Sequence, residues 1–217
     1  LHDRQYALLP YATSITHNTG GGTSRQISIP KEYGDAVPWR QLVVSEGGLI
    51  AIAGRHGFAV YNTTSRKWTI IHPHQPKSTL IYVHHLLFID GDFLCATVTV
   101  VDPNNTTSPK ASQLRVYTVT ADPINMVTRV PLASAPRLLA IGRHDLDKAI
   151  AMVDSLRQLT LLDSDANTGW RQSAVADLSN TASICQIEVS GSTVWFLTDL
   201  GAVYTVKRGA LLENPVL

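Results

Sequence analysis

Short runs of four to eight apolar and β-branched residues recur along the chain, separated by clusters of Gly, Asp, Asn, Ser and Pro. Runs of that length between turn formers predict β-strands, and helical periodicity is hard to find anywhere. Residues 39–72 carry the pattern most plainly. Residues 40–45 (RQLVVS) predict a strand, Glu46-Gly47-Gly48 a turn, and 49–53 (LIAIA) a second strand that is apolar throughout. Gly54-Arg55-His56-Gly57 turns again, 58–62 (FAVYN) is a third strand, 63–66 connects, and 67–71 (KWTII) is a fourth. Four strands joined by tight turns form one antiparallel meander, the unit of a propeller blade.

The unit repeats. Residues 82–89, 93–100, 113–119 and 125–132 predict a second set of strands, and 137–141, 148–153, 158–162 and 170–175 a third. Residues 184–189, 193–198 and 202–206 open a fourth set whose last strand is missing, and 5–9 with 25–29 predict the last two strands of a blade ahead of the first set. The inner apolar strands begin near Leu49, Phe93, Ala149 and Thr193, so they recur every ~44–56 residues, in the range of propeller blades. A second regularity runs through VYNTTSRKW and LDSDANTGW, which place Trp68 and Trp170 at the same offset after Val60 and Leu162. A Trp opening an outer strand covers the gap between neighbouring blades with its large ring. The predicted fold class is all-β: antiparallel four-stranded blades of a β-propeller, about four of them visible, with the terminal ones incomplete, in a larger ring. Residues 1–217 read as one propeller portion of a longer chain, with flexible loops near 13–24, around Gly20-Gly21-Gly22, and near 102–109.

Composition narrows the function classes. A chain of 217 residues suits one domain. Hydrophobic residues at 44% and charged ones at 16% exclude a disordered polyelectrolyte. Eighteen basic against 17 acidic residues leave none of the basic excess of a nucleic-acid binder. Two cysteines exclude a disulfide-rich scaffold, and Cys95 (FLCAT) and Cys185 (SICQI) read as small core residues. The most apolar stretch, 80–89, is interrupted by His84 and His85 and falls short of the roughly 20 residues of a spanning helix.

Candidate chemistry is sparse. His72, His74, His84 and His85 cluster in sequence, but neighbours on a strand point to opposite faces, and no carboxylate or cysteine is spaced to complete a metal site. Gly54-Arg55-His56-Gly57 lacks the Lys-Ser/Thr ending of a phosphate-binding loop and reads as a hairpin turn that uses positive φ at glycine. No GxSxG, HExxH or CxxC is present, and Asp90, Asp92, Asp145, Asp147, Asp163, Asp165 and Asp199 fall in turns. No catalytic, cofactor-binding or metal-binding residue is therefore assigned, and no cofactor is expected. The candidates for a partner surface are Arg55, His56, Arg66 and Lys67. Asn62, Asn104 and Asn105 each begin an N-x-Thr sequon, an acceptor for glycans in a secreted protein.

Residues 26–72, QISIPKEYGDAVPWRQLVVSEGGLIAIAGRHGFAVYNTTSRKWTIIH, resemble the Ric-one family, the propeller-bearing large subunit of a Golgi Rab exchange factor. The matching positions are Ile29, Pro30, Tyr33, Pro38, Ala51, Ala53, Gly54, Arg55, Gly57, Tyr61, Arg66, Lys67 and Trp68; His56 stands where the family usually has a second arginine. A weaker likeness continues through 86–89 and Gln113-Leu114-Arg115-Val116-Tyr117 and fades beyond about Leu162. The resemblance implies a non-catalytic scaffold paired with an arrestin-like subunit and acting on a Golgi Rab GTPase in retrograde endosome-to-Golgi and intra-Golgi traffic. It implies a cytoplasmic protein, peripheral on Golgi membranes through its complex. None of the family's exchange-active residues maps onto this sequence. Two other readings stand beside it: a secreted or lumenal propeller that binds a glycan or protein ligand, for which the sequons argue, and a scaffold of another cytosolic complex. The Gly-His and Trp-Asp dipeptides of ordinary WD repeats are absent.

Overall fold

The structure, a computed structural model, describes residues 5–18, 23–36, 38–54, 57–71, 80–89, 91–101, 111–120, 123–144, 147–165, 169–191 and 193–207. Strands β1 (Gln5–Ala7), β2 (Ser14–Asn18) and β3 (Ser24–Ser28) form the first sheet, and a short 3-10 helix (Lys31–Ala36) leads on to the second. That sheet holds β4 (Gln41–Val44), β5 (Leu49–Ala53), β6 (Phe58–Asn62) and β7 (Lys67–Ile71). The third holds β8 (Leu80–Phe88), β9 (Phe93–Val101), β10 (Ala111–Thr118) and β11 (Asn125–Leu132). The fourth holds β12 (Pro136–His144), β13 (Asp147–Asp154), β14 (Gln158–Asp165) and β15 (Gly169–Asp177), and the last β16 (Ile184–Ser190), β17 (Thr193–Thr198) and β18 (Val203–Lys207). Within each sheet the strands lie in chain order, as successive hairpins require. The fold is all-β, built of antiparallel propeller blades: three sheets of four strands between two of three, among the described residues. The chain divides into two compact units, Leu1–Lys110 with Thr118–Asn125, and Ala111–Tyr117 with Met126–Leu217.

In the first unit, β5 is buried along its whole length. Alternate residues of a strand face opposite ways, so an uninterrupted apolar run means burial on both faces. Ile50 and Ile52 join Ile15 and Ile27 of the first sheet, together with Ile29, Tyr33, Trp39, Ala59 and Tyr61, in one core. The segment between the two sheets is pinned by Trp39, whose backbone N–H donates to Pro10 O at 2.6 Å and whose Nε1 donates to Ala12 O at 2.7 Å. Trp68 does what its position predicts: its half-buried ring lies against this core, 5.1 Å from the Tyr61 ring, and its Nε1 donates to Ser28 O at 2.8 Å, joining the second sheet to the first.

In the second unit, Ala149, Ala151 and Val153 of β13 and Leu159 and Leu161 of β14 pack against Ile187, Val189, Val194, Phe196 and Val206 of the last sheet. The two sheets approach tightly at Gly142 on β12. A Cβ built there would meet Val189 Cγ1 and stand 2.5 Å from both Val189 Cβ and the Val189 carbonyl oxygen.

Four expectations change. Asp147, Asp163 and Asp165 lie in strands β13 and β14 and not in turns. The loop expected near 13–24 contains strand β2, which pairs Tyr6 with His17 and Ile15 with Ile27 and makes the centre of the first sheet. Its sequence, SITHN, carries one apolar residue, so the period-two signal is too short to read even though Ile15 is fully buried. Gly20, Gly21 and Gly22 and residues 102–109 lie outside the described residues. Cys95 is buried as expected, but Cys185 is exposed and its thiol donates to Leu197 O at 3.3 Å. An irregular register between Ile184 and Gln186 turns it out of the core. The simple alternation across His84 and His85 also fails, as described next.

Candidate functional site

The exposed basic pair Arg66-Lys67 sits on the hairpin between β6 and β7. Asn62 builds that turn: its Oδ1 accepts from the backbone N–H of Thr64 at 2.9 Å and of Ser65 at 3.0 Å, and its carbonyl accepts from Arg66 N at 2.8 Å. Arg66 closes the turn in the left-handed region, φ 58°. A second turn lies alongside, because Thr63 N donates to Gly48 O at 3.3 Å. Gly48, at φ 82°, and Ser45, whose Oγ accepts from Leu49 N at 2.9 Å, shape that turn between β4 and β5.

The β5–β6 turn lies at the other end of the sheet, since each antiparallel strand reverses direction. Gly54 and Gly57 bracket it; Gly57 has φ 74°, as a hairpin glycine should, and its N–H donates to Ile81 O at 3.0 Å. Arg55 and His56 themselves lie outside the described residues. Among the described candidates, Arg66 and Lys67 come together on one turn, at the end of the sheet opposite Gly54 and Gly57.

The histidine pair holds more structure than its sequence suggests. Val83 pairs with Val98 and His85 with Thr97, so His84 is the extra residue of a β-bulge. Burial follows the bulge: Ile81 and Val83 face inward on one parity, and Leu86 on the other. The insertion keeps both halves of β8 facing the core at the expense of regular alternation at His84 and His85. Both imidazoles are half-buried. His84 Nε2 shares a hydrogen bond with Thr99 Oγ1 at 2.7 Å, and the His85 N–H donates to Thr97 Oγ1 at 3.1 Å. Gln41 on β4 reaches across and donates from Nε2 to His84 O at 2.6 Å, while its Oε1 is buried without a hydrogen-bond partner. Desolvation lowers the pKa of His84, and the neighbouring charges of His85 and Arg40 lower it further. The sequence signal for this site was the His-His break in an apolar run. Arg40 and Gln41, more than forty positions away, carried no signal of their own.

Other polar groups have structural roles. Asp154 is buried and accepts from Leu156 N at 2.9 Å and Gln158 N at 2.8 Å through Oδ1, and from Ser134 Oγ at 2.8 Å through Oδ2, which fixes the β13–β14 turn. Tyr33 is buried, and desolvation raises its pKa well above the ordinary tyrosine value, with the Gly54 backbone offsetting only part of the rise. Among the described residues no three His, Cys, Asp or Glu side chains are grouped to hold a metal ion. His72 and His74 lie outside them.

No family model matches the chain, and no curated protein does. Solved structures do. The WD40 domain of SCAP from fission yeast superposes over 94% of this chain with a TM-score of 0.50 at 10% identity. A luciferin-regenerating enzyme superposes over 95% with a TM-score of 0.51 at 12% identity. The likeness is one of fold alone. The chain spans about half the length of the SCAP domain, 52%, and 73% of the luciferin-regenerating enzyme.

Proposed function

We propose that this chain is a non-catalytic β-propeller scaffold of a Rab guanine-nucleotide exchange factor complex, acting in retrograde endosome-to-Golgi and intra-Golgi traffic. The observation that supports the reading is how the residues shared with the Ric-one family divide in space. Tyr33, Ala51, Ala53, Gly54 and Tyr61 are buried, and Trp68 bridges two sheets. Arg66 and Lys67 stand exposed on the turn that this frame holds. A rigid frame that displays a few loop residues is how propellers present contact surfaces. The partners proposed are an arrestin-like subunit and a Golgi Rab GTPase, and the complex brings the protein to the cytoplasmic face of Golgi membranes. The basic turn would meet an acidic patch on one of the two, with gains chiefly in association rate and specificity.

The test is a pull-down of the tagged full-length parent from its own cytosol, with and without nucleotide stripping, repeated with Arg66→Glu/Lys67→Glu. The expected result is recovery of an arrestin-like subunit, and of a Rab GTPase once nucleotide is removed, with one of them lost in the charge-reversed variant. Recovery of neither, together with a glycan on native Asn62, would overturn the reading in favour of a lumenal binding module.

A further inference from the structure

In the second unit a small cavity lies where the connection from β11 to β12 meets the ends of β13 and β14. Met152 and Asp154 share one face of β13, and Gln158 and Thr160 share one face of β14, because alternate residues of a strand point the same way. Met152 pairs with Thr160, so the four line the cavity together, on the face turned away from the last sheet. Ser134 closes it from the connection, its Oγ donating to Asp154 Oδ2 at 2.8 Å. Ser134, Gln158 and Thr160 are half-buried, so the cavity reaches solvent. Its volume is about 20 Å³, room for one group of the size of a water molecule. Asp154 is buried, and its partners are the Leu156 N–H, the Gln158 N–H and the Ser134 hydroxyl. No Lys, Arg or His among the described residues pairs with it; Arg157, in the same turn, directs its guanidinium to Ser179 O and Thr181 O.

We propose that this cavity binds a primary alkylammonium group, free or at the end of a lysine side chain, with Asp154 as its counter-charge. Buried charges are ordinarily paired, and this one is hydrogen-bonded without a cation. An ionised carboxylate has about four acceptor sites, so the three bonds it accepts leave one for a further donor. An ammonium brings three donors, and the Gln158 amide oxygen and the Thr160 hydroxyl in the same lining are acceptors for the others. Leu132, Pro136 and Met152 supply the apolar part of the lining, a surface for the methylene stem that carries the charge. A guanidinium, with its planar fork of three nitrogens, is too large for the space. A bare metal cation seeks a shell of oxygens and would meet carbon along much of this wall. A water molecule would fill the space and leave the carboxylate without a counter-charge.

The experiment uses the two methionines of the chain, labelled in their methyl groups and followed by NMR. Met152 lines the cavity, and Met126, exposed on β11, is the internal control. The titrants are n-butylammonium chloride and a blocked Gly-Lys-Gly peptide, with the Nε-acetylated peptide and tetramethylammonium chloride as controls at equal ionic strength. The expected result is a saturable shift of Met152, and none of Met126, with butylammonium, the lysine peptide or both; the tighter of the two identifies the free amine or the lysine side chain as the ligand. Neither control should move Met152. Asp154→Asn should weaken binding by about tenfold or more, because it removes the counter-charge while its Oδ1 still accepts from the Leu156 and Gln158 N–H groups and keeps the turn. Thr160→Val, of nearly the same shape, should weaken it about threefold. A Met152 resonance that neither amine moves, or that tetramethylammonium moves as far, would overturn the site and leave the cavity to water. An Asp154→Asn variant that binds as tightly as the parent would overturn it as well.

Discussion

Gly142→Ala is the sharpest single test of how β12 and β16 approach each other. Carbon atoms in ordinary contact sit about 3.5–4.0 Å apart. The new Cβ would lie 2.5 Å from Val189 Cβ and 2.5 Å from the Val189 carbonyl oxygen, so the strands must separate by roughly 1 Å. Overpacking of a filled core costs about 1–3 kcal/mol. The upper end applies, because a backbone oxygen cannot rotate away as a side chain can. Against this stands the gain of about 0.5–1 kcal/mol for replacing glycine inside a strand. The net expectation is a loss of about 2 kcal/mol, read as a lower urea midpoint at unchanged slope and a fall in Tm of about 4–8 °C. Gly91→Ala is the control: nothing lies within 4 Å of its Cβ, and it should be neutral or slightly stabilising. Val189→Ala alone should cost about 1.6 kcal/mol for two buried methyl-sized groups. In the double variant only the Cγ1 clash is relieved, so the two losses should fall short of additive by about 1 kcal/mol. A Gly142→Ala variant within about 0.5 kcal/mol of the parent would refute the close approach of the two strands.

Three other outcomes are expected. Burial pushes the Cys95 thiol far above its ordinary pKa while Cys185 is exposed, so a thiol reagent at pH 8 should label Cys185 in the native protein and both cysteines after denaturation; rapid native labelling of Cys95 would contradict the core. The folded-state pKa of His84 lies below its unfolded value of 6.5, so its contribution to stability is full above that value and is lost as pH falls toward the folded pKa. His84→Gln should flatten that part of the stability–pH curve measured in chloride, and an unchanged slope would show that the imidazole is not desolvated. Arg66→Gly should stabilise the chain by about 0.5–1 kcal/mol by relieving a left-handed residue, whereas Arg157→Gly, at φ 61°, should not, because it also removes two hydrogen bonds from Arg157 Nη1 to Thr181 O at 2.7 Å and Ser179 O at 3.2 Å. Equal stabilisation at both positions would rule out that difference.

The strand pattern was legible where burial is two-sided or strictly alternating. The bounds of β5, β6, β7, β11 and β17 coincide with those read from the sequence; β5, β6 and β17 end directly against the turn formers Gly54, Thr63 and Asp199. The pattern was silent where one buried residue carries a strand, as Ile15 does for β2. It misled where the register slips. A one-residue bulge reverses the parity of everything beyond it, and nothing in VHHL or SICQI marks the slip. Trp68 was legible because a repeated offset singles it out. The seam of Arg40, Gln41, His84 and His85 was not, because it joins two strands of separate sheets and depends on pairing that no local spacing encodes.

The two left-handed arginines separate frame from display. Each closes a hairpin whose opening residue lends a side-chain oxygen to the turn, Asn62 in one case and Asp154 in the other. A non-glycine residue in this conformation costs about 1–2 kcal/mol, so glycine would serve either turn better unless the side chain has a use. At Arg157 the use is structural: the guanidinium holds the loop after β15 through Ser179 O and Thr181 O. Arg66 is exposed, beside an equally exposed Lys67, on a turn already fixed by Asn62 and steadied by Gly48. Its strain supports nothing inside the sheet, which argues that the side chain is kept for something outside it. Arg66→Gly therefore has a double expectation, a more stable chain and weaker capture of the partner. A variant that gains stability and keeps full capture would remove Arg66 from the contact surface and leave the partner to the turn at the other end of the sheet.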